Sequence, residues 1–396
     1  MKRRILYIVT EDWYFCSHRL PVARAARDVG YEVWVATRVD QYEEKIRAEG
    51  FNLIPIQMER NSLGPLRQLR DLCELVRVYR QLRPDLVHHV ALKPVLIGSF
   101  AAWLTRVPAV VNAMAGLGFV FASETLKARC LRPFVSWGFR FVLNRGHSRL
   151  ILQNADDVRL FVQHKLIAAN RVSMIRGSGV DVRHFQVLAE PEGKPTVAVV
   201  ARMLRDKGIV ELVEAARLLR SRGFELRVIL AGGRDPLNPS CLGEEEIRAW
   251  ETEDLVEWWD EVADVRSVWA QAHLAVLPSY REGLPKSLLE AAACGRAMIA
   301  TDVPGCREIV RHEITGLLVP AREVPALAQA VQALLANSSK RRAMAVAART
   351  SVENEFAEQF VVKNTLDLYL EMTDSRLSSV EVGQATIQPS NNPVIQ

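Results

Sequence analysis

Short β-branched apolar runs alternate along this chain with longer stretches whose apolar positions recur at helical spacing. Ile5–Val9, Val33–Ala36, Asn52–Ile56, Leu86–His89, Ala109–Asn112 and Leu150–Gln153 predict strands, and Leu66–Leu82 carries the helical period between two of them. A second series runs through Thr196–Val200, Leu226–Ala231, Leu274–Pro278 and Ala297–Thr301, with helices predicted over Ile209–Ser221 and Pro285–Cys294. Strand–helix alternation builds a parallel sheet covered by helices on both faces. The fold class is therefore α/β, with two doubly wound, Rossmann-like parallel-sheet units in tandem and a cleft between the carboxyl ends of their strands. The predicted division is a first domain over 1–176, a linker over the glycine-bearing stretch 177–194 that Pro195 closes, and a second domain over 195–355. Residues 356–372 are expected to return as a helix to the first domain, and the Ser-, Gln-, Asn- and Pro-rich tail 373–396 to be disordered.

Composition narrows this picture. With 396 residues, 49% of them apolar, the chain has material for two buried cores. The charge is uneven: residues 1–190 carry 28 Lys/Arg against 17 Asp/Glu, and residues 191–396 carry 23 against 29, so the two halves face different partners. Cys16, Cys73, Cys130, Cys241, Cys294 and Cys306 form no C-x-x-C pair, which argues against a zinc site and fits reduced thiols in a cytoplasmic protein. The amino-terminal apolar run is too short for a secretion signal, and Thr105-Arg106 splits Pro94–Ala122 into pieces too short to span a bilayer.

The chemistry concentrates after the second-domain strands. In Leu277-Pro-Ser-Tyr-Arg-Glu-Gly-Leu-Pro-Lys-Ser-Leu-Leu-Glu290 a strand ends, a turn carries Glu282 and Gly283, and Pro285 opens a helix. The N–H groups of Leu284, Lys286 and Ser287 then face an anion such as a diphosphate, and Gly283 allows close backbone approach. Glu290 lies about five residues into the helix, roughly 7–8 Å at 1.5 Å per residue, which matches the reach from a pyrophosphate to a ribose. Arg202 and Lys207, in the loop after Val197–Val200, supply two cations at the same sheet edge. Taken singly, these residues also suit surface salt bridges and a solvated acidic turn; jointly they favour the diphosphate clamp.

These residues resemble the retaining GT-B glycosyltransferases of family 4, with the E-x7-E signature as Glu282 and Glu290. The resemblance runs from about residue 1 to residue 372 and includes Arg202, Lys207-Gly208, Gly177-Ser-Gly-Val-Asp181 and Gly232-Gly-Arg-Asp-Pro-Leu-Asn-Pro-Ser240. The last of these, with Leu277–Gly283 and Ala293-Cys-Gly295, is similar to bacterial transferases that extend undecaprenyl-diphosphate-linked glycans. It implies that the first domain binds the acceptor and the second the nucleotide-sugar donor. Arg202 and Lys207 would hold the donor pyrophosphate, Glu290 the ribose and Glu282, the expected catalytic residue, hydroxyls of the transferred sugar. Gly232 and Gly233 would lie near the base. The implied reaction moves a sugar, an N-acetylhexosamine, from a UDP donor to a lipid-linked glycan with retention, in surface-polysaccharide, O-antigen or protein-glycan assembly. No D-x-D motif occurs, and the family needs neither a bound metal nor a cofactor.

On the first domain the segment Thr10–Leu20 reads as a loop with Ser17 as helix N-cap, and it lacks the glycines that many relatives bring to the donor phosphates. His18 and Arg19 meet the acceptor there, or else cap and solvate the helix. His89 and Lys93 follow the fourth strand and Gly116 and Gly118 the fifth, all acceptor-side candidates; a packed core histidine and a tight turn are the competing readings. Leu126–Arg149 interleaves Lys127, Arg129, Arg132, Arg140 and Arg145 with Leu131, Phe134, Trp137, Phe139 and Phe141. Such a helix either packs its aromatic face on the sheet or lies on an anionic membrane, holding the enzyme peripherally at the inner face. No nucleic-acid module accompanies the basic patch. Two other functions stay open at this point: a sugar-nucleotide epimerase of the same fold, and a non-catalytic nucleotide-sugar-binding membrane scaffold.

Overall fold

The computed structural model describes residues 2–60, 64–114, 116 and 126–381. Its first seven strands are β1 (Arg4–Glu11), β2 (Glu32–Arg38), β3 (Asn52–Pro55), β4 (Leu86–Val90), β5 (Ala109–Ala113), β6 (Ser148–Leu152) and β7 (Val172–Met174). They pair in parallel in the order β3-β2-β1-β4-β5-β6-β7. A second parallel sheet, β10-β9-β8-β11-β12-β13, comprises β8 (Thr196–Val200), β9 (Arg227–Ala231), β10 (Glu257–Trp258), β11 (Leu274–Leu277), β12 (Ala297–Thr301) and β13 (Gly316–Val319). Strand order reverses between β1 and β4 and again between β8 and β11. Loops diverge at such switch points and leave a crevice at the carboxyl edge, where α/β sheets bind ligands.

The alternation within β1 divides the first core. Ile5, Tyr7 and Val9 join Val33, Val35 and the final helix, while Leu6 and Ile8 pack with Leu75, Tyr79 and Ala101 on the other face. The second core gathers around β8, β11 and β12 and the helix Ile209–Ser221. The strands that sequence pattern passes over, β7, β10 and β13, are the outer or near-terminal ones, each of four residues or fewer; an edge position supplies pairing on one side and leaves little periodic pattern to read.

Three expectations are corrected. Thr10–Leu20 is not a loop capped by Ser17: β1 passes directly into a helix over Asp12–His18, followed by one over Leu20–Asp28. Asp12 is the first residue of that helix, and its buried carboxylate accepts from the N–H groups of Trp13 (2.7 Å), Asp40 (2.8 Å) and Tyr42 (2.9 Å). Pro285 is the N-cap of the helix Lys286–Ala293 rather than its first residue. The last helix, Glu358–Glu381, runs past residue 372, with Thr373 accepting from Arg3 at 3.1 Å; residues 382–396 lie outside the described residues.

The linker and that returning segment pair with one another. Val180 N–H donates to the Phe356 carbonyl at 3.0 Å and Glu358 N–H to that of Val180 at 2.9 Å. Gly179 makes this approach possible, since at φ +69 a Cβ there would lie 2.7 Å from the Glu358 Cα. Both crossings between the domains are thus bound side by side, with Val361, Leu368, Tyr369 and Met372 buried against the first sheet.

Candidate active site

The loops after β8 and β11 meet because Gly208 sits where a Cβ would be 2.1 Å from the Pro278 carbonyl oxygen, at φ +69. This contact brings Lys207 to the Glu282 turn. Lys207 Nζ lies 2.5 Å from Glu282 Oε1, and Ser279 Oγ donates to the same oxygen at 2.7 Å. Arg202 binds Asp235, in the loop after β9. Each of these cations is therefore paired with a carboxylate from a neighbouring loop of the same sheet edge.

Beyond the turn, Pro285 brings no N–H of its own. The main-chain N–H groups of Leu284, Lys286 and Ser287 donate to no main-chain partner among the described residues. The side chain of Leu284 faces the linker, where a Cβ on Gly177 would meet its Cδ2 at 2.7 Å. The Gly283 carbonyl accepts from Asn154 Nδ2 of the first domain at 2.9 Å. Glu290 is buried, with Lys286 Nζ 3.7 Å away. Burial pushes its carboxyl up to about 7, and the Lys286 charge opposes that rise. Gly232 is needed for the backbone: with φ +139, its Cβ would stand 2.0 Å from the Ala201 carbonyl oxygen. A Cβ on Gly233 would meet Glu261 at 2.7 Å.

On the first domain His18 stacks flat on Tyr14, with ring centroids 4.1 Å apart, and Lys286 Nζ donates to the Ser17 carbonyl at 3.0 Å. Burial, then the charges of Lys286 and Arg19, push the His18 imidazole down to about 3. Arg19 is buried at the same corner. Gly116 has φ +153 with open space where a Cβ would stand, and Gly118 lies outside the described residues.

Two acceptor-side expectations are overturned by packing. His89 is fully buried, its Nε2 bonded to the Tyr79 hydroxyl at 2.8 Å and its Nδ1 to Asn112 Oδ1 at 2.8 Å; burial pushes it down to about 4. Both ring nitrogens are spent inside the core, so it is the packed histidine of the β4 pair. Lys93 pairs with the buried carboxylate of Asp71 at 2.7 Å and donates to the Glu59 carbonyl at 2.8 Å. Its charge is used within the domain, where it anchors the loop that carries Arg60.

That Arg60 is a residue sequence reasoning missed. It reaches across the cleft to Asp235 at 3.5 Å, and burial together with the neighbouring Arg202 charge lowers its pKa. A single arginine after β3 was the one available signal. Asn154 and Asp157 were missed as well: Asn154 Oδ1 caps the helix Ala155–Gln163 while its Nδ2 holds the Gly283 turn, and Asp157 faces Arg281 at 3.4 Å. The Arg281–Gly283 turn is thus braced from the opposite domain.

Two parallel Rossmann-like sheets with cations, a carboxylate turn and a helix N-terminus converging at the second switch point define a GT-B glycosyltransferase. Solved structures agree on the fold: sucrose-phosphate synthase from Thermosynechococcus elongatus superposes with TM-score 0.77 at 20% identity over 94% of this chain and 100% of that one. An Anabaena protein in complex with UDP and glucose superposes with TM-score 0.73 at 18% identity, over 93% and 99%. Residues 4–154 match the model described as glycosyl transferase 4-like and residues 194–337 that of glycosyl transferases group 1. The chain belongs to glycosyltransferase family 4. It is 28% identical over 365 residues, 89% of this chain and 94% of the relative, to the N,N'-diacetylbacillosaminyl-diphospho-undecaprenol alpha-1,3-N-acetylgalactosaminyltransferase of Campylobacter jejuni. It is 22% identical, over 78% of this chain and 81% of the relative, to the Escherichia coli UDP-Gal:alpha-D-GlcNAc-diphosphoundecaprenol alpha-1,3-galactosyltransferase.

Proposed function

We propose that this glycosyltransferase moves an N-acetylhexosamine from a UDP-sugar to an undecaprenyl-diphosphate-linked glycan, with retention at the transferred carbon. The observation that carries the reading is the Lys207–Glu282 pair beside Arg202 and the open helix N-terminus at Lys286. A diphosphate placed there exchanges with both carboxylates, takes Arg202, Lys207 and the N–H groups of Leu284, Lys286 and Ser287, and leaves Glu282 to the sugar. Glu290, one and a half turns further on, accepts from the ribose hydroxyls. As the bond from the sugar carbon to the diphosphate breaks, negative charge grows on the departing UDP. Fixed cations and amides stabilise that charge without reorganising. The names of the two bacterial relatives support the lipid-linked acceptor.

The testing experiment is UDP release from a panel of UDP- and GDP-sugars, with and without short undecaprenyl-diphosphate glycans, run with and without EDTA. One UDP-sugar is expected to release UDP only with the lipid-linked acceptor, at a rate that EDTA leaves within twofold, because the clamp supplies the charge that a metal would supply. Donor interconversion without acceptor would instead identify an epimerase, and tight UDP binding without turnover a scaffold.

Arg60 joins this clamp from the first domain. Arg60→Ala is expected to weaken UDP binding about tenfold, the worth of one charge-assisted hydrogen bond, and to leave uridine binding unchanged; calorimetric titration with both ligands checks it.

The acceptor's lipid places the enzyme at the anionic inner face of the membrane, and the helix Leu126–Leu143 suits that contact. Phe139, Val142 and Leu143 are buried, whereas Phe134 and Trp137 are 75% and 68% exposed. Trp137 and Phe141 border an apolar groove of about 360 Å³ shared with Leu69, Leu72, Ile97 and Phe100, and Arg145 lies 4.0 Å from the Phe141 ring centroid. No described helix is long and apolar enough to cross a membrane. Replacing Phe134 and Trp137 together by alanine is expected to lower co-sedimentation with vesicles rich in anionic lipid at least tenfold, while turnover on a detergent-solubilised acceptor stays within threefold.

A further inference from the structure

The first-domain corner opposite Lys286 holds a guanidinium that no described carboxylate pairs with. Arg19 is 3% exposed, and among the described residues its side chain forms no ion pair and no hydrogen bond, its Nε being buried without a partner. A buried charge without a partner is unfavourable, and an arginine keeps its proton. Two more polar atoms are orphaned beside it, Nδ1 of His18 and Nε2 of His88. The other nitrogen of His88 is bonded to the Tyr369 hydroxyl, which donates in turn to that of Tyr7 at 3.2 Å. His18 is fixed by its stack on Tyr14. Both rings stay neutral, held so by burial and by the Arg19 charge, so neither cancels nor adds to it. From the second domain Lys286 reaches the same corner through the Ser17 carbonyl. Two carboxylates feel the Lys286 charge, Glu290 at 3.7 Å and Glu358, and burial favours the protonated form of each. Positive charge thus exceeds negative charge at a domain interface lined with unsatisfied hydrogen-bonding groups.

We propose that Arg19, with His18 and Lys286 around it, forms a phosphate-binding subsite distinct from the Arg202–Lys207 clamp. A phosphoryl group fits this set because it accepts both parallel N–H bonds of a guanidinium fork and has oxygens left for an imidazole N–H and an ammonium. A bridging water would satisfy the imidazoles and leave the charge uncompensated. Two phosphates of the proposed reaction reach the interface, that of the donor next to the transferred sugar and the diphosphate of the lipid-linked acceptor. Tyr14, stacked on His18, senses the charges of both Arg19 and Arg60, and Arg60 in turn reaches Asp235.

The test compares the full-length protein with Arg19→Met, which keeps the bulk and removes the charge, in three assays. In thermal melting with sodium pyrophosphate, Arg19→Met is expected to melt at or above the wild type without the anion, since an unfavourable buried charge is gone, and to lose at least half of the anion-induced shift. Lys207→Ala is expected to keep the part that Arg19→Met loses. In titration, a tenfold or greater loss of UDP affinity with uridine unchanged assigns the subsite to the donor. In turnover, an unchanged UDP affinity with a tenfold or greater rise in acceptor KM and kcat within threefold assigns it to the acceptor. The proposal is overturned if the pyrophosphate shift, the UDP affinity and the acceptor KM all stay within twofold of the wild type. Should Arg19→Met not fold, Arg19→Lys is read in the same assays, where a threefold or greater weakening is expected because the fork is lost. The proposal rests on the reaction above only for the identity of its phosphate. A wild type that neither binds UDP nor turns over would sink that reaction and leave the pyrophosphate arm to decide the subsite.

Discussion

Replacing Lys207 by alanine is expected to lower kcat/KM by about two to three orders of magnitude, the usual cost of removing one preorganised group that stabilises transition-state charge. The structure shows why the loss exceeds that of an ordinary surface lysine. Lys207 Nζ is 2.5 Å from Glu282 and comes from a backbone held by Gly208 against the Pro278 carbonyl, so no neighbouring side chain is placed to substitute. Its removal also leaves Glu282, whose side chain is 11% exposed, with Ser279 as its remaining hydrogen-bond donor. Lys207→Ala should therefore impair both donor binding and the sugar carboxylate, and UDP affinity should fall along with turnover. Lys207→Arg, which restores the charge with a different reach, should recover part of both. Steady-state UDP release, with circular dichroism to confirm the fold, checks this; near-normal turnover in Lys207→Ala would remove the donor clamp from the reaction.

The second large effect concerns Glu290 and has a pH signature. Burial raises its carboxyl from an ordinary value of 4.5 to about 7 in the folded protein. Between those values the folded state keeps a proton that the unfolded chain has lost. Stability from this group is thus full below about pH 4.5 and disappears as pH rises through 7, a change of about 3 kcal/mol. Glu290→Gln, of the same shape and without a charge, should flatten that slope and make the protein more stable than wild type at pH 8. The same substitution should reduce turnover by about two orders of magnitude, because an amide offers one acceptor oxygen where the ribose presents two hydroxyls. Denaturant melts at pH 5, 7 and 8 read the first effect. Donor kinetics read the second, and UDP titrations near pH 6.5 in two buffers should register a proton released on binding by the wild type and not by the variant. A Glu290→Gln protein that is less stable than wild type at pH 8 would show that the buried carboxylate is paired by more than Lys286.

Much of this protein is written locally. The buried runs Thr196–Val200 and Ala297–Thr301 match their strands residue for residue, and Ile209–Ser221 matches its helix, because a central strand buried on both faces has little freedom in composition. The E-x7-E block was legible because it is a matter of residue spacing, with Glu282 in the turn and Glu290 inside the helix Lys286–Ala293, and spacing along the chain is read without any tertiary contact. The segment after β1 was misread because the carboxylate that ties it down, Asp12, finds its partners Asp40 and Tyr42 28 and 30 residues away.

The sequence alone determined the two alternating α/β units and the polar character of the loops after the second-domain strands, since periodicity and motif spacing are properties of neighbouring residues. Tertiary structure alone decided which polar residues are free to act. Two adjacent histidines on β4 look alike in sequence, yet His89 spends both nitrogens on Tyr79 and Asn112 while His88 retains an orphaned one beside Arg19. Lys93 is consumed by Asp71, and Arg60 reaches Asp235 from the other domain. Whether a charge is neutralised depends on partners far along the chain, and only folding brings those partners within bonding distance.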